Sequence, residues 1–312
     1  MRILVTGASG LLGLNLALEA AKDHLVFGTI NNHAIRTDAF TVLQVDLLAE
    51  GAVERLLEQT QPDWVIHCAA LANLEDCEAD PALAEQLNTH LPEKLAAHVA
   101  RGGARLVHVS TDAVFDGQKG NYSEQDAPNP LSVYAHTKLE GERRVAEADP
   151  EAIIARVNLF GWSPSGKRSL AEFFFNNLSA GKRVMGFTDV YFCPLLVNDL
   201  GTIFLKMLEK KLGGLYHVVS RECLSKYEFG MRLAQQFNLD SSLINPASVE
   251  QGSLTAARSP RLTLRVDRLA QALGEPSPDI SAGMHRFFDL YQQGYPRWLR
   301  GMAGAAAPAD HG

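Results

Sequence analysis

The sequence predicts an α/β protein, built on an open parallel sheet with helices on both faces and a smaller C-terminal lobe. Two observations lead to this fold class. Short apolar segments alternate with longer amphipathic ones up to about residue 160, and the short segments are apolar at odd and even positions alike. Strands buried on both faces have that pattern. Strands and helices that alternate with short links imply right-handed crossovers in a doubly wound sheet.

The first part of the chain is predicted to contain six strands and four helices. The strands are expected at Arg2–Thr6, Leu25–Thr29, Thr41–Val45, Trp64–Cys68, Arg105–Val109 and Ala152–Val157. The helices are expected at Leu11–Lys22, Gly51–Gln59, Pro92–Arg101 and Val133–Glu147. Proline suits the first turn of a helix and glycine its end, which supports the bounds of the third helix.

After residue 160 the alternation changes, and we expect a lobe that mainly binds substrate. Helices are predicted at Ser169–Ala180, Asp199–Lys210, Ser225–Phe237 and Ser281–Gln293, with one more strand at Leu215–Val219. The helix at Asp199 and the strand at Leu215 are expected to return to the main sheet. The predicted domains are therefore 1–160 for the main sheet and 161–300 for the lobe, followed by a flexible tail at 301–312.

The composition is that of an ordinary globular protein. Of 312 residues, 46% are hydrophobic and 21% charged, and the net charge of −7 argues against a nucleic-acid partner. No apolar stretch reaches about 18 residues and no signal peptide is visible, so we expect a cytoplasmic protein without a membrane partner. The four cysteines form no C-x-x-C pair and the histidines no H-x-x-x-H pair, so no metal site is predicted. A reducing compartment is the simpler interpretation of these widely spaced cysteines.

A glycine-rich turn follows the first strand and opens the first helix. Gly7, Gly10 and Gly13 form the pattern G-x-x-G-x-x-G. The first glycine suits a tight turn, the second lets backbone N–H groups approach a pyrophosphate, and the third lets helix and strand pack closely. Directly after the first strand of an alternating chain, the pattern predicts a Rossmann-type dinucleotide site in residues 1–160 rather than a plain turn.

The cofactor preference is predicted at the end of the second strand. NAD-binding proteins carry a carboxylate there that binds the ribose 2′-hydroxyl. This chain has Asn31 instead, with Arg36 close behind, and an arginine can pair with a 2′-phosphate. We therefore expect NADPH (NADP⁺) as the cofactor, with NADH as the alternative. The other interpretation of Arg36 is a solvated arginine in a loop. Further candidates for cofactor contact follow the third and fourth strands: Asp46, Leu47, Cys68, Ala69 and Ala70.

Three side chains are predicted to deliver a proton to a carbonyl oxygen. Tyr134 and Lys138 lie four residues apart in a predicted helix and share one face, and a lysine there can lower the pKa of the phenol. Thr111 closely follows the fifth strand, at the edge where parallel sheets bind ligands. Its hydroxyl can polarise a carbonyl, or it can cap the next turn. With the glycine turn, these residues predict a reductase that uses a nicotinamide cofactor.

Together these segments resemble the extended short-chain dehydrogenase/reductase family, in its dTDP-4-dehydrorhamnose reductase-like branch. The resemblance is most specific in residues 110–117 (STDAVFDG), 122–124 (YSE) and 130–142 (PLSVYAHTKLEGE), and it extends to about residue 290. It implies an NADPH-dependent reductase that acts on the keto group of a deoxysugar, expected to be nucleotide-linked, with Thr111, Tyr134 and Lys138 as catalytic residues. The cofactor residues that it implies are Gly7, Gly10, Leu11, Leu12, Asp46, Leu47, Ala69, Ala70 and Asn88. To these we add Ser9 of the same turn, and Tyr134 and Lys138, because the lysine can also hold the cofactor ribose.

Substrate contacts are predicted after the fifth and sixth strands and in the C-terminal lobe. The candidates are Val114, Phe115, Asn158, Phe173, Asn177 and Tyr191. A place in the core or on the surface is the alternative for Asn158, Phe173, Asn177 and Tyr191. Where the family usually has Arg-Thr-Ser-Trp after the sixth strand, this chain has RVNLFG at 156–161, which leaves the identity of the sugar open.

Other functions of the same fold stay open at this stage. A sugar-nucleotide epimerase would retain its cofactor through purification. A dehydratase would need an Asp-Glu pair after the threonine, whereas Thr111 is followed by Asp112 and Ala113. A non-catalytic subunit that binds NADP, as in the regulatory subunit of methionine adenosyltransferase that this branch also resembles, would keep the fold without the reaction. A homodimer is compatible with the sequence.

Overall fold

The structure is a computed structural model and describes residues 1–251 and 259–303. Its strands are β1 (Arg2–Thr6), β2 (Leu25–Ile30), β3 (Thr41–Gln44), β4 (Trp64–His67), β5 (Arg105–Thr111), β6 (Ile153–Val157), β7 (Leu159–Phe160), β8 (Val184–Phe187), β9 (Tyr191–Phe192), β10 (Leu195–Leu196), β11 (Gly214–Val218), β12 (Leu224–Ser225), β13 (Ile244–Ala247) and β14 (Arg261–Leu262). Its α-helices are α1 (Leu11–Ala20), α2 (Ala52–Thr60), α3 (Leu74–Ala79), α4 (Pro81–Glu85), α5 (Leu91–Gly102), α6 (Val133–Ala148), α7 (Leu170–Ser179), α8 (Val197–Glu209), α9 (Lys226–Gln236), α10 (Asp267–Leu273), α11 (Ile280–Gln292) and α12 (Tyr295–Met302).

Seven parallel strands form the central sheet, in the order β11-β6-β5-β4-β1-β2-β3. The strand order reverses between β1 and β4, where doubly wound sheets bind their ligands beyond the carboxyl ends of the strands. The predicted Rossmann-type α/β fold is confirmed. The predicted return of the Leu215 strand is confirmed as well, because β11 pairs with β6 at the edge of the sheet.

Successive side chains of the strands pack against helices on opposite faces of the sheet. On β1, Ile3 and Val5 belong to a large hydrophobic cluster that includes residues of α1 and α8. Leu4 belongs to a second cluster, with residues of α2 and α5. This alternation explains why three consecutive residues of β1, Ile3 to Val5, are all apolar, since both faces of the strand are covered.

Each predicted strand of the sheet and each predicted helix is present, with ends that shift by at most two residues. The largest functional consequence is at β5, which continues through Thr111. Short elements were not predicted: α3, α4, α10, α12, a π-helical turn at Gln86–His90, and the strands of three small sheets. The small sheets pair as β10-β7, β12-β9-β14 and β13-β8, and all of their strands except β7 lie in the part of the chain predicted as the substrate lobe.

Two expectations outside the sheet need correction. Gly301 and Met302 belong to α12, and Ala303 bridges to Ile35, so the predicted flexible tail does not begin at residue 301. Residues 304–312 of that tail lie outside the described residues. A disulfide joins Cys193 and Cys223, which the sequence did not predict. Such bonds are rare in the reducing compartment that we expected, and the cytoplasmic location stays a prediction.

Candidate active site

The glycine-rich turn forms a narrow cradle between β1 and α1. Gly7 has a φ of +70°, and a Cβ on it would lie 2.9 Å from the backbone of Ala69. A Cβ on Gly13 would lie 2.2 Å from the carbonyl oxygen of Gly7, so helix and turn pack too closely for any side chain there. Helix α1 begins at Leu11 after Gly10, and no side chain caps its first N–H groups. These residues fit the pyrophosphate of a dinucleotide.

Exposed polar residues follow β2 and β3, where the ribose end of such a cofactor lies. Asn31 and Arg36 are both exposed after β2. Asp46 is exposed after β3, and its carboxylate accepts the backbone N–H of Leu48 at 3.0 Å, so it also holds this turn. Leu47 packs partly against the core. Their contacts with a cofactor stay predictions.

The segment after β4 forms the other side of the cradle. The backbone N–H of Ala69 donates to the hydroxyl of Thr6 at 3.2 Å, which holds this segment against the end of β1. Burial raises the pKa of the Cys68 thiol to about 12, so the side chain is a small neutral group. Ala70 is exposed beside it.

Asn88 attaches this segment to the neighbouring helices. Its side-chain amide accepts from the backbone of Leu71 and donates back to it, both at 3.0 Å, and it also donates to the Thr137 hydroxyl at 3.1 Å. These bonds occupy both ends of the amide. Asn88 therefore positions the segment after β4, and a direct hydrogen bond from Asn88 to a cofactor stays a prediction.

Thr111 and Tyr134 meet at the carboxyl end of β5. The Thr111 hydroxyl accepts the backbone N–H of Ala113 at 3.1 Å, so the capping alternative is realised together with the predicted position. Tyr134 lies in the first turn of α6, which begins after Ser132, whose side chain caps the helix. Burial raises the pKa of Tyr134, a hydrogen bond with Thr111 opposes this, and the resulting pKa is about 12. The phenol therefore carries its proton at neutral pH.

Lys138 extends to β5 rather than to Tyr134. Its side chain is buried, and its Nζ donates to the carbonyl of Val109 at 2.7 Å and lies 3.5 Å from Nε2 of His108. Burial lowers the pKa of Lys138 to about 8. We expected Lys138 to lower the pKa of Tyr134. In the structure burial instead raises the pKa of Tyr134, and the Lys138 ammonium is held by the backbone carbonyl of Val109.

Asp112 is a site residue that the sequence reasoning used only to exclude a dehydratase. Its carboxylate is 4% exposed and accepts the Asn158 amide at 2.6 Å and the Thr111 hydroxyl at 3.3 Å. Burial raises the pKa of Asp112 to about 6. The structure thus brings Asn158 to the catalytic candidates. An acidic residue directly after the strand-end threonine was the signal that could have identified Asp112.

A buried ion pair connects α6 to the strands beneath it. Arg156 on β6 binds Glu142 on α6 at 2.7 Å, and the Ser110 hydroxyl donates to the same carboxylate at 2.5 Å. All three side chains are buried. The sequence reasoning missed this group, because nothing in the spacing of the three residues indicates that they meet.

Two of the predicted substrate residues lie in the hydrophobic core. Val114 and Phe115 are fully buried. The Phe115 ring stacks on Tyr122 with 4.1 Å between ring centroids, and the Arg156 guanidinium lies 4.9 Å from the Phe115 centroid. Their predicted substrate contact is therefore wrong in this structure: the strand that ends at Thr111 directs the following turn inward.

The remaining substrate candidates lie in the C-terminal lobe. Phe173 on α7 is 46% exposed, whereas Phe174 beside it is buried. The Asn177 amide donates to the Phe173 carbonyl at 2.8 Å, within α7. Tyr191 is half-buried at the start of β9. None of these contacts links the three candidates to Thr111 or Tyr134, and their substrate contacts stay predictions.

A comparison with known protein families identifies the chain. The family model described as the RmlD substrate binding domain matches residues 1–293. The chain belongs to this family. Membership of the RmlD family confirms the resemblance to the dTDP-4-dehydrorhamnose reductase-like branch of the extended short-chain dehydrogenase/reductases.

Relatives of this RmlD family member carry two kinds of name. The probable low-salt glycan biosynthesis reductase Agl14 of Haloferax volcanii is 31% identical over 287 residues, which cover 90% of this chain and 95% of the relative. The methionine adenosyltransferase 2 subunit beta of Danio rerio is 34% identical over 279 residues, covering 86% and 84%. The crystal structure of a dTDP-4-dehydrorhamnose reductase from Clostridium acetobutylicum has a TM-score of 0.80 at 26% identity, covering 94% of this chain and 100% of that one.

Residues 1–251 and 259–303 contain neither a candidate metal site nor a membrane-spanning helix. In these ranges no three His, Cys, Asp or Glu side chains are grouped so that they could hold a metal ion. The helices within the same ranges all lack the length and hydrophobicity needed to span a lipid bilayer.

Proposed function

We propose that this protein is an NADPH-dependent reductase that acts on a keto group of a nucleotide-linked deoxysugar. The observation that carries the proposal is the meeting of Thr111 and Tyr134 at the carboxyl end of β5, with Lys138 one helical turn further along α6. That edge of the sheet also holds the glycine cradle, so one small molecule can lie between both parts. The family and the reductase from Haloferax volcanii support a sugar reductase. NADPH and the identity of the sugar are our proposals.

Different residues of the site would bind different parts of the cofactor and the substrate. The turn from Gly7 to Leu12 would hold the pyrophosphate, and Asn31 and Arg36 would hold the adenosine ribose with its 2′-phosphate. A bound NADPH supplies a hydride. Asp112 fixes one end of the Asn158 amide, which leaves the carbonyl end of Asn158 to accept a hydrogen bond from a sugar hydroxyl.

Tyr134 is the proposed proton donor to the carbonyl oxygen of the substrate. Its phenol is protonated at neutral pH, because burial raises the pKa to about 12, and it donates that proton as negative charge develops on the carbonyl oxygen. The Thr111 hydroxyl, which donates to Asp112 at 3.3 Å in the structure, would turn to donate its hydrogen bond to the same oxygen. Lys138, with a pKa of about 8, remains mainly charged at neutral pH and places a positive charge on the same face of α6.

The relative from Danio rerio supports a second candidate, a non-catalytic subunit that binds NADP and a partner enzyme. Its name is that of a subunit of methionine adenosyltransferase, and its identity to this chain is 34%. Such a subunit does not need a proton donor, whereas this chain has Thr111, Tyr134 and Lys138 together. The reductase therefore ranks first. A homodimer and a cytoplasmic location stay predictions beside it.

Tyr134→Phe tests the proposed function. With a panel of nucleotide-linked 4-keto sugars, we expect the purified wild-type protein to oxidise NADPH, followed at 340 nm. The variant is expected to lose about 100-fold to 10,000-fold in kcat while its Kd for NADPH is unchanged, because only the proton donor is removed. Tyr291→Phe, at an exposed tyrosine on α11, is the matched control and is expected to keep full activity.

The outcomes separate the two candidate functions. Near-native turnover by the Tyr134 variant would exclude the proposed mechanism. A wild-type protein that binds NADPH but reduces no sugar of the panel, and that binds a methionine adenosyltransferase catalytic subunit, would favour the non-catalytic candidate. Equal catalytic efficiency with NADH and NADPH would contradict the proposed cofactor preference.

A further inference from the structure

The C-terminal helix is fixed against the segment that follows β2. The backbone N–H of Arg36 donates to the carbonyl of Met302 at 2.8 Å, and Ile35 forms an isolated antiparallel bridge with Ala303. The side chains of Ile35 and Met302 are both buried. The end of α12 therefore lies beside the part of the chain where dinucleotide-binding folds meet the ribose of the adenosine.

A cavity of about 640 Å³ lies between these two segments. Arg36 and Asp38 line it on the side that follows β2, and Arg297 and Trp298 line it from α12. The charged side chains of its wall are thus two arginines and one carboxylate, which leaves a net positive charge. The Trp298 side chain is 48% exposed, whereas Trp162 is buried in the core.

Arg36 and Arg297 are both exposed, and within residues 1–251 and 259–303 neither side chain forms an ion pair or a hydrogen bond. Two uncommitted arginines on one concave surface attract an anion, and the planar guanidinium matches the geometry of a phosphate. An exposed indole beside them adds a face on which a base can stack.

The sign of the cavity charge discriminates between the two forms of the cofactor ribose. A ribose 2′-hydroxyl is recognised by a carboxylate, and Asp38 is the one carboxylate that lines this cavity. Asp38 shares the cavity with two arginines, which exceed its charge. A 2′-phosphate, with a charge near −2, would be attracted to the same surface.

We propose that Arg297 of α12 forms, together with Arg36, the binding site for the ribose 2′-phosphate, so that the C-terminal helix determines the preference for NADPH over NADH. This inference rests on the proposed function, which requires a nicotinamide cofactor. It assigns a specificity role to a helix that lies far along the chain from the glycine turn.

The test is the binding of both cofactors, measured by nicotinamide fluorescence without any sugar substrate. Arg297→Gln is expected to weaken NADPH binding by about 10-fold to 100-fold, because one charge-assisted pair is lost, and to change NADH binding by less than about twofold. Arg297→Lys is expected to retain part of the NADPH affinity. Arg300→Gln, an exposed residue of the same helix that does not line the cavity, is the matched control and is expected to bind both cofactors as the wild type does. Competition by 2′,5′-ADP is expected to weaken in parallel with NADPH binding, whereas competition by 5′-AMP is not.

The result separates this inference from the function on which it rests. If Arg297→Gln weakens NADPH and NADH equally, or weakens neither, the inference is overturned while the reductase proposal stands on the Tyr134 experiment. A tenfold loss for NADPH with unchanged NADH binding supports the inference even if no sugar is reduced. If the wild-type protein binds neither NADPH nor NADH, both the proposed function and this inference are overturned.

Discussion

Acid is expected to destabilise the protein, because three histidines are buried in their neutral form. His67 and His108 are neighbours on β4 and β5, and His217 lies on β11. Burial lowers the pKa of His67 to about 3 and that of His217 to about 4, and it places the pKa of His108 well below the ordinary value of 6.5. In the unfolded chain these rings bind protons below about pH 6.5, so the unfolded state binds more protons than the folded state. The free energy of unfolding therefore decreases as the pH falls from about 6.5 towards 4.

The size of this loss follows from the pKa differences. From pH 7.5 to pH 5.5 each buried histidine is expected to remove about 1.4 kcal/mol from the free energy of unfolding, or about 4 kcal/mol for the three. Asp112 acts in the opposite direction. Burial raises its pKa to about 6, so its folded carboxyl binds a proton first and restores about 0.8 kcal/mol over the same interval. The net loss from these four groups is about 3 kcal/mol, a large part of the total of about 5 to 15 kcal/mol that is typical of domains.

Urea unfolding at both pH values, followed by tryptophan fluorescence, measures this loss. His217→Gln removes one titrating ring, and its amide can still donate to the Arg265 carbonyl that Nδ1 of His217 faces at 3.2 Å. This variant is expected to lose about 1.4 kcal/mol of the pH dependence. His33→Gln, at an exposed position, is expected to keep all of it. A wild-type loss below about 1 kcal/mol, or an unchanged pH dependence in His217→Gln, would refute the assignment of neutral buried rings.

Two further predictions concern the stability of the fold. Cys223→Ser opens the disulfide to Cys193 across 30 residues and is expected to lower the free energy of unfolding by about 3 to 4 kcal/mol in oxidising buffer. Urea titrations with and without dithiothreitol measure this effect, and equal stability of variant and wild type without reductant would contradict it. Glu142→Gln leaves Arg156 buried without its counter-charge and is expected to remove about 3 to 5 kcal/mol. Glu140→Gln, on the more exposed side of α6, is its control and is expected to remove at most about 1 kcal/mol in the same titration.

The sheet could be predicted from the sequence because its strands are buried on both faces. A strand such as Trp64–His67 is apolar at nearly every position, and it is followed by a segment long enough for a crossover. Two-residue strands such as Tyr191–Phe192 have no periodicity to detect, since pairing with distant residues alone defines them. Helix α12 was missed for a related reason. It is eight residues long, and it is held in place by Ile35 and Arg36, which are remote in sequence.

The sequence predicts a candidate site as a set of residues, but it does not predict the contacts between them. The order of glycine turn, strand-end threonine and Tyr–Lys pair indicates which edge of the sheet binds ligands. Spacing of four residues places Lys138 on the same helix face as Tyr134, yet it does not say how far a flexible side chain reaches or which carbonyl it meets. The burial of Val114 and Phe115 also depends on the path of the chain after β5, which no local pattern specifies.

Tyr134, Lys138 and Glu142 form a stripe of polar side chains along one face of α6, with one helical turn between successive residues. The three residues are spaced four apart and all face the strands beneath the helix. Tyr134 interacts with Thr111 at the end of β5, and Lys138 bonds the carbonyl of Val109 two residues earlier in that strand. Each of the three residues therefore attaches α6 to the sheet, and together these contacts fix the rotation of the helix about its own axis.

Glu142 links stability to chemistry within this stripe. Arg156 and Ser110 hold its carboxylate, so the helix cannot rotate without breaking a buried ion pair. The same carboxylate raises the pKa of Lys138 against the effect of burial, which helps to keep the ammonium charged at neutral pH. Glu142→Gln is accordingly expected to lower the pKa of Lys138 further as well as to destabilise the fold. A variant that loses stability while the Lys138 titration, followed by NMR, stays unchanged would show that the ion pair only anchors α6 and does not tune the lysine.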